Sequence, residues 1–122
     1  MSNIKYFPPA PIEFTPEQRE GITKEDLVDD KLIVQIAPYF GGAEDDSIEL
    51  WLGTTRAENS GDYLVPSFTV TDPAAMNEVY FTASKLREFS GTKAFFGYRV
   101  NGNELSQLVD IDIDLSARRL VK

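Results

Sequence analysis

Val109-Asp110-Ile111-Asp112-Ile113-Asp114-Leu115 alternates strictly between apolar and acidic residues. Side chains along a strand alternate between its two faces, so Val109, Ile111, Ile113 and Leu115 share one face and three carboxylates share the other. Such a strand belongs to an antiparallel sheet packed on one side and wetted on the other. Just upstream, Lys93 to Val100 puts Ala94, Phe96, Tyr98 and Val100 on a single face. Asn101-Gly102 follows, a hairpin signal because both turn positions want positive φ. The two segments predict an antiparallel pair with the final strand running from about Leu105 to Leu115, both apolar rows turned to one core.

Similar runs recur back to Lys31. Lys31-Leu32-Ile33-Val34-Gln35-Ile36-Ala37 is β-branched and apolar and ends at Pro38. Ser47 to Gly53 sets Ile48, Leu50 and Leu52 on one face. Tyr63 to Thr71 reads as extended but broken by Pro66, and Glu78 to Ala83 reads as a strand. Ser84 to Phe89 predicts a short helical turn closed by Gly91. No long helical period competes. Short strands with turn signals between them predict an all-β fold, an immunoglobulin-like β-sandwich of about seven strands.

The boundaries read as a Pro-rich N-terminal arm (residues 1–25), the sandwich (26–116) and a basic C-terminal tail (117–122). The arm holds Pro8, Pro9, Pro11 and Pro16, which favour extended backbone, but Ile4, Tyr6, Phe7, Ile12 and Phe14 make it too apolar for a free linker. The arm is therefore expected to dock on its own sandwich or on a neighbouring chain, the second case giving a homo-oligomer. Thr15-Pro16-Glu17-Gln18 matches a capping box with Pro at the first helical position, and Gly21 limits it to one turn.

Composition removes whole classes of chemistry. The 122 residues contain no cysteine and no histidine, which excludes a disulfide framework, a thiol nucleophile and every Ser-His-Asp or Cys-His arrangement. A formal charge of −8 sets the surface against nucleic acid and anionic membranes; it suits a soluble surface first, and otherwise a basic protein partner or cation binding. The opening residues form no apolar signal segment and no stretch has the length of a membrane span, so no membrane insertion is expected and the compartment stays open.

Two acidic clusters are candidate sites. Asp110, Asp112 and Asp114 stand about 7 Å apart along the strand, too far for all three to chelate one ion, and read as a charged face that discourages edge association. Glu44-Asp45-Asp46 follows Gly41-Gly42 without calcium-loop spacing and reads as a solvated turn. No catalytic residue, metal site or cofactor is expected, and the chain reads as non-enzymatic.

The strand order resembles the repeated bacterial immunoglobulin-like modules of large Pseudomonas-type surface and secreted proteins. The stretches that carry the likeness are Asp46 to Gly53, Ser67 to Thr71, Val79 to Ser84, Phe96 to Val100 and Leu108 to Leu115. The resemblance covers roughly residues 26–116 and implies a structural or adhesive role, with a protein or a surface glycan as partner. The chain departs from the family pattern where Leu52 takes the inward position of the family's tryptophan. Trp51 is then displaced outward, unless a bulge turns it in. With Phe95 and Arg99 of the same outward parity, Trp51 would complete an aromatic and guanidinium partner-binding patch. Two rival readings are a small acidic inhibitor protein occupying a basic, nucleic-acid-binding groove of another protein, and a carbohydrate-binding module.

Overall fold

The computed structural model describes residues 9–39 and 41–116. Ile4, Tyr6 and Phe7 of the arm and the basic tail from Ala117 lie outside the described residues. In chain order the elements are α1 (Pro16–Glu20), β1 (Lys31–Ile36), β2 (Ser47–Gly53), β3 (Gly61–Tyr63), β4 (Phe68–Thr69), β5 (Asn77–Thr82), α2 (Ala83–Arg87), β6 (Thr92–Val100) and β7 (Val109–Ile113). The fold is all-β, with two antiparallel sheets and a few helical turns. One sheet pairs β1 with β5; the other has the order β3-β2-β6-β7, with β4 also paired to β2.

Period-two patterning decides which side of each strand is buried. Leu32, Val34 and Ile36 of β1 and Val79 and Phe81 of β5 meet Ile48, Leu50, Leu52, Ala94, Phe96, Tyr98, Ile111 and Ile113 of the larger sheet in one core. Phe96 is the hinge of that contact. Its ring meets Phe81 of the opposite sheet and Phe14 of the N-terminal segment, each edge-on at 5.2 Å. Edge-on aromatic pairs add about 0.5–1.5 kcal/mol each beyond their buried area.

The N-terminal segment is part of this core. Ile12 and Ile22 are wholly buried and Phe14 nearly so. Glu13 bridges the outer edge of β1 at Gln35, and Ile22 bridges the outer edge of β7 at Ile113. Between them α1 forms as its capping box predicts: the Thr15 hydroxyl accepts from the Gln18 N–H, and the Gln18 side chain accepts from the Thr15 N–H. The Tyr98 hydroxyl donates to the Ala10 carbonyl at 2.8 Å, fastening the start of the described chain to β6. Residues 9–25 thus dock on their own sheets.

The hairpin end differs from the sequence reading. Asn101 and Gly102 do adopt positive φ (52° and 71°), yet β7 starts only at Val109. Opposite Tyr98 the ladder is carried by Ser106: its N–H donates to the Tyr98 carbonyl, and its hydroxyl accepts from the Tyr98 N–H at 3.0 Å. A side chain stands in for a strand partner there, which frees Leu105 and Leu108 to fold over the outside of β6. The Tyr63–Thr71 stretch is likewise not one strand: β3 ends at Tyr63, the chain bends at Val65-Pro66, and β4 takes up only Phe68 and Thr69.

Candidate functional site

The residues singled out by parity do share one surface. In the β2–β6 register Trp51 lies across from Gly97, and Phe95 and Arg99 flank Gly97 on the same outer face. The face they share is covered, however, and Trp51 is 0% exposed. Parity carries the indole outward, and a second small core closes over it. The 54–60 loop folds back so that the Trp51 Nε1–H donates to the Glu58 carbonyl at 3.2 Å. A Cβ at Gly53 would collide with the indole ring, and one at Gly97 would come within 2.6 Å of Leu108 and 3.2 Å of Leu105. Gly53 leaves room for the indole ring, and Gly97 leaves room for Leu105 and Leu108, which lie over it on the same outer face. The exposed tryptophan platform expected from sequence is therefore corrected: Trp51 has no surface to offer a partner. The clue available in the sequence was the pair of glycines lying on the tryptophan's own face.

Arg99 and Phe95 stand at the margins of this outer core. Arg99 holds Glu49 in a two-pronged pair, Nε to Oε1 at 2.8 Å and a terminal nitrogen to Oε2 at 3.3 Å. Its guanidinium carbon sits 3.6 Å from the centre of the Tyr63 ring. The Glu49 hydrogen bond, chiefly, holds the Arg99 pKa above its ordinary value. Burial pushes the Tyr63 hydroxyl up, and its hydrogen bond to Glu58 pushes it further. Phe95 lies under Arg56 at 5.3 Å, and Arg56 and Lys93 both pair with Asp110. Charged and aromatic groups on this face satisfy one another, so Arg99 and Phe95 keep the structure of the face before they serve any ligand.

The other acidic candidates also have structural work. Asp46 accepts from the Tyr39 hydroxyl at 2.7 Å, the Ala43 N–H at 2.9 Å and the Asn101 side chain at 2.9 Å, pinning the 41–46 loop to the β6–β7 turn. Those bonds, led by Tyr39, lower its pKa. Among the described residues no three Asp or Glu carboxylates gather as metal ligands. A cavity of about 460 Å³ opens between Lys24, Leu27, Asp29, Asp30, Arg87 and Leu115, with charges of both signs on its walls. No buried polar side chain among the described residues lacks a hydrogen-bond partner, so none is left aimed into a cavity.

Among the described residues, one long strand edge has no strand partner, that of β5. Gln35 exchanges hydrogen bonds with Glu13, so its N–H and C=O point away from β5. Strict alternation then turns Leu32, Val34 and Ile36 toward β5, where Phe81, Val79 and Asn77 meet them. The N–H groups of Glu78, Tyr80 and Thr82 point the other way, to an edge where no strand of the described residues pairs. The edges of β1 and β7 are covered in part by Glu13, Val28 and Ile22, and β2 is flanked by β3 and β4. Sequence patterning marked β5 as a strand but carried no signal that it would stand at an edge.

No family model, no curated protein and no solved structure matches the chain.

Proposed function

We propose that this chain is a non-enzymatic binding or assembly module of immunoglobulin-like type, acting through protein contacts made along a sheet edge. Connectivity supports the immunoglobulin-like part. In the two-sheet immunoglobulin plan, strands A, B, E and D form one sheet and C, F and G the other, with C′ added beside C in the variable type. β1 and β5 pair as B and E do, and β3-β2-β6-β7 follow the order C′-C-F-G. Glu13 bridges β1 where strand A would lie.

The observation that carries the binding part is the free side of β5. In the plan, strand E is flanked by D; here the segment before β5, β4, pairs with β2 instead. An extended segment from another chain added at such an edge gains backbone hydrogen bonds, with side-chain contacts setting which segment fits. Strand addition of this kind suits a structural or adhesive assembly.

The test uses the whole chain, immobilised and exposed to an extract of its native host. Glu78→Pro deletes one outward N–H without touching the β1–β5 ladder. The reading expects a protein retained by wild type and lost with Glu78→Pro at unchanged melting temperature. Equal retention by both overturns it.

A further inference from the structure

We infer that the partner at the β5 edge is a second copy of β5, the two strands running antiparallel about a twofold axis at Tyr80. This inference rests on the reading of β5 as a binding edge. Three features of the edge favour a second copy.

The first is length and lack of protection. β5 spans Asn77–Thr82, while β3 has three residues and β4 two. Natural edges are blunted with proline, bulges or several charges. β5 has no proline, pairs without a bulge through six consecutive positions, and shows a single charge, the exposed Glu78.

The second is register. Only residues whose N–H and C=O both face outward can form the hydrogen-bonded pairs of a new ladder, so Glu78, Tyr80 and Thr82 must meet one another. A twofold at Tyr80 sets Tyr80 against itself, Glu78 against Thr82 and, on the core side, Val79 against Phe81. A twofold at Val79 would bring the two Glu78 carboxylates to diagonal positions, where like charges repel. At Tyr80 the two glutamates lie four residues out of step. Each then stands on the row where Lys31 of the other copy pairs with Thr82.

The third is the face above the edge. Lys31 sits 4.6 Å over the Tyr80 ring, and Phe68 of β4 meets that ring edge-on at 5.0 Å. Between these neighbours Tyr80 is partly buried, and Ile33 across from it is 38% exposed. Pairing would give a continuous β1-β5-β5-β1 sheet with two tyrosines side by side at its centre, and aromatic cross-strand pairs stabilise a sheet.

Sedimentation of the full chain across a concentration series tests this. Wild type should approach twice the 13.7 kDa of one chain as concentration rises. Because Tyr80 faces itself, Tyr80→Lys and Tyr80→Glu should each stay monomeric, and an equimolar mixture of the two should recover the dimer. If those variants fail to fold, Tyr80→Cys replaces them. An antiparallel hydrogen-bonded pair sets its Cα atoms about 5.5 Å apart, within disulfide reach. Oxidised Tyr80→Cys should therefore crosslink to a dimer, and Ile33→Cys should not. A monomeric wild type at every concentration overturns the inference, as does a dimer that persists in both charge variants. In the monomeric case the host-extract comparison with Glu78→Pro decides separately whether the binding-module reading falls with it.

Discussion

Trp51 of β2 lies directly across from Gly97 of β6, on the side of the sheet facing away from the main core, and is completely buried there. The sheet thus has an interior on both sides over part of its area. Trp51→Ala should cost about 3–5 kcal/mol, the range for truncating a buried tryptophan. Gly97→Ala should cost about 1–3 kcal/mol by forcing Leu105 and Leu108 outward. Denaturant unfolding checks both, and a Trp51→Ala protein as stable as wild type would overturn the outer core.

The arm should prove inseparable from the domain. Ile12 and Phe14 fill the main core, so Ile12→Ala should lower stability by about 2–5 kcal/mol, as should Ile111→Ala on β7. Deleting residues 1–14 should lower the melting temperature further, since it strips both side chains and uncovers the edge of β1 at Gln35. Differential scanning calorimetry reads all three, and a truncated chain that melts with wild type would show the segment to be a tether.

Arg99 and Glu49 are partly shielded, at 27% and 31% side-chain exposure. Their two-pronged geometry places them above an ordinary surface pair, and a double-mutant cycle with Arg99→Ala and Glu49→Ala should give a coupling of about 1 kcal/mol. Salt should reduce it only modestly, because the pair is in contact and half-covered. A coupling near zero would mean that Tyr63 stacking alone holds Arg99.

Stability should fall at both ends of the pH scale for identifiable reasons. Asp46 is held below its ordinary value in the folded chain, so between its folded and unfolded pKa the unfolded chain binds more protons. Its contribution is full above the ordinary aspartate value of about 3.9 and is lost as pH falls through the folded value. Asp46→Asn should flatten part of the melting-temperature slope in that acid window. Tyr39, Tyr63 and Tyr98 are all pushed upward, each by burial first. Their contribution is full below about pH 10 and declines above it, as the unfolded chain ionises first. Ultraviolet titration should show these three tyrosines ionising together with unfolding; smooth titration of all five tyrosines near pH 10 without unfolding would contradict their burial.

Much of the fold was legible before any coordinates. Alternation along β2, β6 and β7 named the buried rows, because a strand has only two faces and water selects between them. The Thr15 capping box and the Asn101-Gly102 turn were readable because they depend on neighbouring residues alone. Parity also assigned Trp51, Phe95 and Arg99 to one face. Whether that face stays wet was decided elsewhere: the 54–60 loop and the 105–108 segment close over it, and neither contact is periodic in sequence. The same holds for β5. Its strand character lies in Val79, Tyr80 and Phe81, whereas its free edge exists because β4 pairs with β2 and leaves the far side of β5 without a strand among the described residues. Local patterning determines which way side chains point; which strand lies beside which, and what covers each face, depends on contacts between distant segments that only the folded chain brings together.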